Sequence, residues 1–71
     1  MTQKTNKRFI EDIDTAELLL VSVLSRLQMA KAEVRAGESI NHAIDANVKH
    51  ALDDVSNAGN AVGYLVRKYS S

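Results

Sequence analysis

The 71-residue chain contains no cysteine, proline or tryptophan, and its nine basic residues balance its nine acidic residues. These counts exclude disulfide bonds and cysteine-based zinc sites, and the zero net charge gives no general attraction to nucleic acid or to membranes. A chain of this length forms at most one domain, and on folding it buries only about 60% of its unfolded surface. Its stability as a monomer is therefore expected to be marginal.

The most apolar stretch of the chain is too short to cross a membrane. It covers seven residues, Leu18 to Leu24, whereas a membrane-spanning helix needs about 20. Residues 11–17 carry four acidic side chains, and a secretory signal would place an apolar segment nearer the start of the chain. The sequence therefore predicts a cytoplasmic protein with no membrane segment.

The best candidate for a break in the helical pattern lies near the middle of the chain, at Gly37. Glycine just past a helix end adopts the left-handed conformation at little cost. Ser39 or Asn41 can then cap the next helix by accepting a hydrogen bond from a free backbone N–H. We therefore predict a first helix over about 7–36, a turn at about 37–39, a second helix over about 40–69, and frayed ends at 1–6 and 70–71.

Apolar residues recur every seven positions in both halves of the chain. The interleaved sets of the first half are Ile13, Leu20, Leu27, Val34 and Phe9, Ala16, Val23, Ala30, and those of the second half are Val48, Val55, Val62, Tyr69 and Ile44, Ala51, Ala58, Leu65. This spacing is typical of helices that pack along a common seam. Because a short joint makes the helices antiparallel neighbours, the sequence predicts an all-α, coiled-coil-like, two-helix hairpin.

Seven further residues lie outside these heptad sets and exceed what a two-helix hairpin can bury. They are Leu18, Leu19, Val21 and Leu24 in the first helix and Leu52, Gly59 and Val66 in the second. Surplus apolar surface of this kind usually marks an interface. The favoured explanation is a homodimer in which two hairpins form a four-helix bundle. Docking of a different protein is the alternative, and both occur together if Leu18 and Val21 remain exposed outside the dimer.

Two glycines, Gly59 and Gly63, lie inside the predicted second helix. Glycine in a helix interior costs roughly 1 kcal/mol relative to alanine, and this spacing resembles the small-residue pattern of close helix contacts. We therefore expect Gly59 to let two backbones approach closely, within the hairpin or across a dimer. Gly63 falls off the seam.

The histidines and the carboxylates form no convincing catalytic or metal site. His42 and His50 are eight residues apart, about 12 Å along a helix, which is too far for one metal ion. Each histidine has one aspartate within a helical turn, Asp45 for the first and Asp54 for the second, and two ligands do not make a site. No glycine-rich phosphate loop or nucleophile motif occurs. The sequence predicts a non-enzymatic protein with no catalytic residue, no metal and no cofactor.

Basic residues gather near the two chain ends, which a hairpin brings to one pole: Lys4, Lys7, Arg8, Arg67 and Lys68. Tyr64 and Tyr69 lie near the same pole. Such a pole can bind phosphate groups, with tyrosine available for stacking on bases. Three acidic residues dilute its charge: Glu11, Asp12 and Asp14.

The sequence thus favours a small protein-interaction module, such as a regulator, adaptor, chaperone or inhibitor, that docks an apolar helix face on another protein. Two alternatives remain: a dimeric nucleic-acid-associated regulator that uses the basic pole, and a structural subunit of a larger assembly. We expect partner binding to depend first on Leu18, Val21 and Leu24. Folding is expected to depend on four seam residues: Leu20, Leu27, Val48 and Val55.

Overall fold

The structure of the protein is a computed structural model that describes residues 3–70. Helix α1 spans Gln3–Arg35, and after a turn the chain forms α2 (Ile40–Ala43), a π-helical segment (Ile44–Val48) and α3 (Lys49–Tyr69). The last three run on from one another and make the second arm of a hairpin, which packs along α1. No strand occurs within residues 3–70, so the predicted all-α hairpin is confirmed for that part of the chain.

The helix bounds differ from the predicted ones at two places. Helix α1 begins at Gln3, so residues 3–6 belong to the helix, and the predicted fraying of 1–2 and 71 lies outside the described residues. Because of this early start, the acidic residues at 11, 12 and 14 do not lie in the first turn of α1. The second arm contains a π-helical segment where the heptad pattern predicts regular α-helix.

The turn between the two arms has the geometry that its glycine predicts. Gly37 has a φ of 101°, in the left-handed region that favours glycine. The Gly37 N–H donates a hydrogen bond to the Val34 carbonyl, and the Glu38 N–H donates one to the Glu33 carbonyl. This is the pattern of the Schellman motif that closes a helix. Ser39 then caps the second arm, because its hydroxyl accepts a hydrogen bond of 3.0 Å from the His42 N–H.

The two arms meet along a seam of small side chains. The buried residues of the described chain are five alanines and one asparagine: Ala16, Ala30, Ala43, Ala51, Ala58 and Asn47. Four of these alanines belong to the heptad sets that predicted a seam, so that part of the prediction is confirmed. For Ile44, a member of the same sets, the prediction is wrong: it is 38% exposed and Ala43 is buried instead, because the π-helical segment shifts the phase of the second arm. None of the large apolar side chains described is fully buried, because helices that touch through alanine lie too close together to hold leucine between them.

The heptad sets that contain Leu20 on α1 and Val55 on the second arm do not lie in this seam. Leu20 is 53% exposed, Leu27 42% and Val55 49%, while Val48 is half-buried. The prediction that these residues form the folding core of the hairpin is therefore wrong for the first three. The arms are rotated so that the alanine sets face each other, and the leucine and valine sets lie along one edge of the contact.

Polar side chains bridge the arms along the opposite edge of the seam. The Ser22 hydroxyl donates a hydrogen bond of 2.6 Å to Asp54 Oδ2. Near the joint, the Asn47 side-chain amide donates to Glu33 Oε1, and His42 Nε2 lies 2.6 Å from Glu33 Oε2. Asn47 is 4% exposed and sits in the π-helical segment, so this buried amide has its partner within the hairpin.

The hairpin is a thin rod with a large surface. It measures 54 × 17 × 11 Å with a radius of gyration of 16.2 Å, against about 11 Å for a compact domain of this length. Its accessible surface is 5401 Å², whereas a compact monomer of this mass exposes about 4,400 Å². The chain therefore leaves about 1,000 Å² more in water than a compact fold of the same size does.

Candidate interaction surface

One side of the hairpin is apolar along most of its length. Antiparallel helices turn in opposite senses when seen from one end, so corresponding heptad sets of the two arms lie on the same side of the seam. We call the residues of these sets the apolar face: Ile13, Leu20, Leu27, Val34, Val48, Val55 and Val62. They are half-buried or exposed, so the face is a row of large side chains that the hairpin covers only partly.

A groove at the joint end shows that the two arms contribute to one surface. It encloses about 400 Å³, and its lining includes Val34 and Lys31 from α1 and Ile44 and Val48 from the second arm. Ile40, at the start of α2, lines the same groove and is 67% exposed. The apolar face therefore continues from α1 onto the second arm.

A further row of residues flanks the apolar face on the outer side of each arm. We call these the flanking rows: Ile10, Glu17, Leu24 and Lys31 on α1, and Leu52, Gly59 and Val66 on the second arm. All seven are exposed. The structure thus places the predicted interface residues Leu24, Leu52, Gly59 and Val66 beside the apolar face.

The remaining predicted interface residues lie elsewhere on α1. Leu18 and Val21 are 68% and 57% exposed, and their heptad positions put them on the side of α1 that faces away from the second arm. Leu19 is half-buried, at a heptad position beside the alanine seam. The seven predicted interface residues therefore lie in three places: beside the apolar face, on the far side of α1, and beside the seam. Four of them share the first place: Leu24, Leu52, Gly59 and Val66.

The two glycines of α3 have different surroundings. A Cβ atom added at Gly59 would meet no atom within 4 Å, whereas one added at Gly63 would lie 3.1 Å from Arg67 Nη1. Gly59 is therefore not required by packing inside the described chain, and the expected close approach of backbones is not made within the hairpin. The glycine costs helix stability with no compensating contact in the isolated hairpin.

The hairpin gathers most of the predicted basic pole into adjoining grooves. Lys4, Arg8 and Lys68 line one of about 300 Å³ together with Tyr69, and Lys7 lines a second groove that shares two of these basic residues. The fifth predicted member, Arg67, lies with its guanidinium group over Gly63. The structure therefore brings four of the five together or side by side.

An acidic side chain holds the second arm at this pole. Asp12 Oδ2 accepts a hydrogen bond of 2.6 Å from the Tyr69 hydroxyl and lies 3.3 Å from Lys68 Nζ. The Phe9 and Tyr69 rings meet edge to face with centroids 4.9 Å apart. Lys68 Nζ also lies 5.1 Å from the ring centroids of Tyr64 and Tyr69. We call these five residues the polar clasp, since they tie the last turn of α3 to α1.

Electrostatics within the polar clasp follow from these contacts. The hydrogen bond from Tyr69, with a smaller contribution from Lys68, lowers the pKa of the Asp12 carboxyl. Contact with Tyr64 and Tyr69, followed by Asp12, raises the pKa of the Lys68 ammonium group. Burial and the Asp12 contact raise the pKa of Tyr69. The Lys68 charge is therefore partly compensated inside the hairpin, which weakens the pole as an anion site.

The described residues contain no group of three or more histidine, cysteine, aspartate or glutamate side chains that could hold a metal ion. The His42 imidazole lies beside the carboxylate of Glu33. Within residues 3–70, no helix combines the length and the apolar character that crossing a bilayer requires.

Comparison with protein-family models, with curated proteins and with solved structures finds no match to this chain. Its function is therefore inferred from its own surfaces.

Proposed function

We propose that this protein is a small, non-enzymatic, cytoplasmic interaction module that works as a homodimeric four-helix bundle. One observation supports this most strongly: five exposed large apolar side chains belong to the apolar face, while the seam of the hairpin buries mainly alanine. The five are Leu20, Leu27, Val34, Val55 and Val62. A leucine gains about 1.5–3 kcal/mol when its side chain is fully removed from water. The apolar face can make that gain by packing against another chain.

The amount of exposed surface agrees with a partner of similar size. The excess over a compact monomer is about 1,000 Å², and a standard protein interface buries about 800 Å² on each partner. A second hairpin placed on the apolar face would bring four helices around a core built from Leu20, Leu27, Val55 and their neighbours. This arrangement also compensates for the small core of a chain of this length.

The dimer leaves one apolar patch of α1 available for a different protein. Leu18 and Val21 face away from the second arm and from the apolar face, so a second hairpin does not cover them. An exposed apolar pair on a rigid helix suits docking against a helix or groove of a partner. We therefore assign the patch formed by Leu18 and Val21 to partner binding, with the protein acting as a regulator, adaptor, chaperone or inhibitor.

A matched pair of substitutions separates the two surfaces. Leu27→Glu puts a charge in the proposed dimer core, and Leu18→Glu puts the same charge on the outer patch. Size-exclusion chromatography with light scattering should show that the first variant is monomeric and that the second remains dimeric. Equal dimerisation by both variants would contradict the assignment of the apolar face.

The outer patch has its own test. Immobilised parent protein and the Leu18→Glu variant are exposed to lysate of the native host, and bound proteins are compared by mass spectrometry. A stoichiometric partner retained by the parent and by an Asn57→Glu control, but lost by Leu18→Glu, is the expected result. A partner that binds all three equally would remove the outer patch from the proposal, and an assembly of many copies would favour a structural subunit.

A nucleic-acid-associated role is the second candidate function, and one observation favours it. Lys4, Arg8 and Lys68 share a groove with the ring of Tyr69, a combination that suits phosphate contact and base stacking. Binding of single-stranded RNA to the parent, weakened by Lys4→Glu and by added salt, would support it. No binding at low ionic strength would reject it.

A further inference from the structure

We propose that the two hairpins of the homodimer lie with their joints at the same end, so that α1 of each copy packs against the second arm of the other. This inference rests on the proposed homodimer and adds its geometry. In this geometry a second copy of the chain covers the apolar face and the flanking rows, in a single register. The position of each flanking residue relative to the seam decides that register.

Contacts across the seam show which residues of the two arms stand at the same height along the rod. The hydrogen bond between Ser22 and Asp54 fixes the middle of the hairpin. Leu24 follows Ser22 by two residues and Leu52 precedes Asp54 by two, so these leucines are level. By the same argument Glu17 is level with Gly59, and Ile10 with Val66.

Contacts near both ends keep the arms in this register within about a helical turn. At the joint end, His42 Nε2 lies 2.6 Å from Glu33 Oε2. At the other end, the Phe9 ring meets the Tyr69 ring with centroids 4.9 Å apart. The level pairs of the flanking rows therefore hold along most of the rod.

Twofold symmetry decides which of these level residues face one another in the dimer, since it fixes the position of one hairpin along the other. A twofold axis parallel to the rod rotates one copy onto the other without moving it along the rod. Residues that are level within one hairpin therefore remain level across the interface. Leu24 then faces Leu52 of the partner subunit, and Ile10 faces the partner's Val66. The four exposed apolar residues of the flanking rows are all covered.

Gly59 gains a role in this arrangement. It is level with Glu17, so the missing Cβ atom gives the α1 helix of the partner subunit room to pass and lets the Glu17 carboxylate reach water. Within the described chain nothing lies within 4 Å of the place where that Cβ would be. The contact between copies therefore supplies a reason for glycine that the hairpin alone does not.

The opposite arrangement, with the joints at different ends, fits the flanking rows less well. It packs α1 on α1 and puts Leu24 against Leu24 of the partner subunit, with Glu17 facing the partner's Lys31. Ile10 and Val66 then lie level with the turn, beyond the ends of the opposing helices, and remain in water. A shift by one heptad covers Ile10 but sets it against Lys31 and sets Glu17 against Leu24.

Cysteine cross-linking distinguishes the arrangements, because the natural chain has no cysteine. The full chain carrying Leu24→Cys and Leu52→Cys is oxidised mildly, run on a non-reducing gel and digested for mass spectrometry. We expect a covalent dimer that links position 24 of one copy to position 52 of the other. Its yield should exceed that of the Leu18→Cys, Leu52→Cys control by about tenfold, because only facing thiols react as if intramolecular.

Three results would overturn this geometry. A covalent dimer of the single variant Leu24→Cys, linked between the two copies of position 24, would show joints at different ends while leaving the homodimer intact. A stable dimer by light scattering with no 24–52 link would also contradict the register. A monomer at every concentration would contradict the homodimer itself. The Ile10→Cys, Val66→Cys variant repeats the test at the other end of the rod, and circular dichroism verifies that each variant folds.

Discussion

The two edges of the seam between the arms differ in whether their side chains find partners within the hairpin. On one edge, Ser22, Glu33 and Asn47 have their hydrogen-bond partners within the hairpin. On the other edge, the leucines and valines of the apolar face remain half-exposed. Directional hydrogen bonds fix the register of the two arms, whereas the hydrophobic effect, which has no direction, acts on an apolar face that the hairpin covers only partly. The proposed second copy would cover that face.

Truncating the apolar face should give the largest effect. Leu20→Ala is expected to cost about 2–5 kcal/mol of dimer stability, because the side chain fills the core between two copies. The control Leu18→Ala, on the outer patch, should stay within about 0.5 kcal/mol of the parent. Thermal unfolding followed at several protein concentrations measures both. Equal small losses for the two variants would mean that Leu20 stays in water.

Removing the buried amide should weaken the hairpin itself. Asn47→Ala leaves Glu33 without one of its partners and is expected to cost about 1–3 kcal/mol. Because Asn47 lies on the polar edge of the seam, the dissociation constant of the dimer should not change beyond the loss of folded hairpin. Chemical denaturation at high protein concentration, with the exposed Asn57→Ala as the control, gives the comparison. No difference between the two variants would show that the amide does not fix the joint.

The two glycines of α3 should respond in opposite ways. Alanine at either position favours the helix by about 1 kcal/mol in the isolated hairpin. Gly63→Ala should keep that gain, because the nearby Arg67 side chain can move. Gly59→Ala should loosen the dimer, because its methyl group meets the partner subunit. If sedimentation shows that Gly59→Ala dimerises as tightly as the parent, the close approach at this position is wrong.

Acid should weaken the polar clasp, and we expect the resulting loss of hairpin stability to be smaller than the effects of the substitutions above. The pKa of Asp12 in the folded chain is lowered from 3.8, first by Tyr69 and then by Lys68. Stability from this contact is present above pH 3.8 and is lost as the pH falls through the lower pKa of the folded chain. Asp12→Asn should therefore flatten part of the acid dependence of unfolding. The exposed Asp53→Asn control should unfold in acid like the parent, and identical profiles for both variants would contradict the role of the clasp.

The sequence was sufficient for the two helical arms and for the joint between them. Gly37 and Ser39 act through local backbone geometry and a local cap, and the heptads of alanine mark the seam. The choice of which heptad set faces the other arm could not be predicted, because the sets that contain Leu20 and Ala16 have the same spacing. A seam within a hairpin and a core between two hairpins leave the same periodic pattern in the sequence. Contacts between residues distant in the chain decide which heptad set faces the other arm.

The polar edge was harder to predict for the same reason. Glu33 and Asn47 lie fourteen residues apart on different arms, and their hydrogen bond depends on how the turn closes. The heptads could not predict the π-helical segment, since Ile44 and Ala51 keep their spacing of seven in the sequence. In the structure the segment shifts the phase of the helix, so that Ala43 is buried and Ile44 is exposed. Leu18 and Leu24 both appear as surplus apolar residues in the sequence. Their different positions relative to the apolar face emerge only once the direction of the second arm is known.

Sedimentation equilibrium of the unmodified chain, from below micromolar to several hundred micromolar, tests whether the hairpin forms a homodimer. We expect a reversible monomer–dimer equilibrium in which the dimer mass dominates at the higher concentrations. A mass equal to one chain of 7.8 kDa throughout this range, with the hairpin folded by circular dichroism, would contradict it.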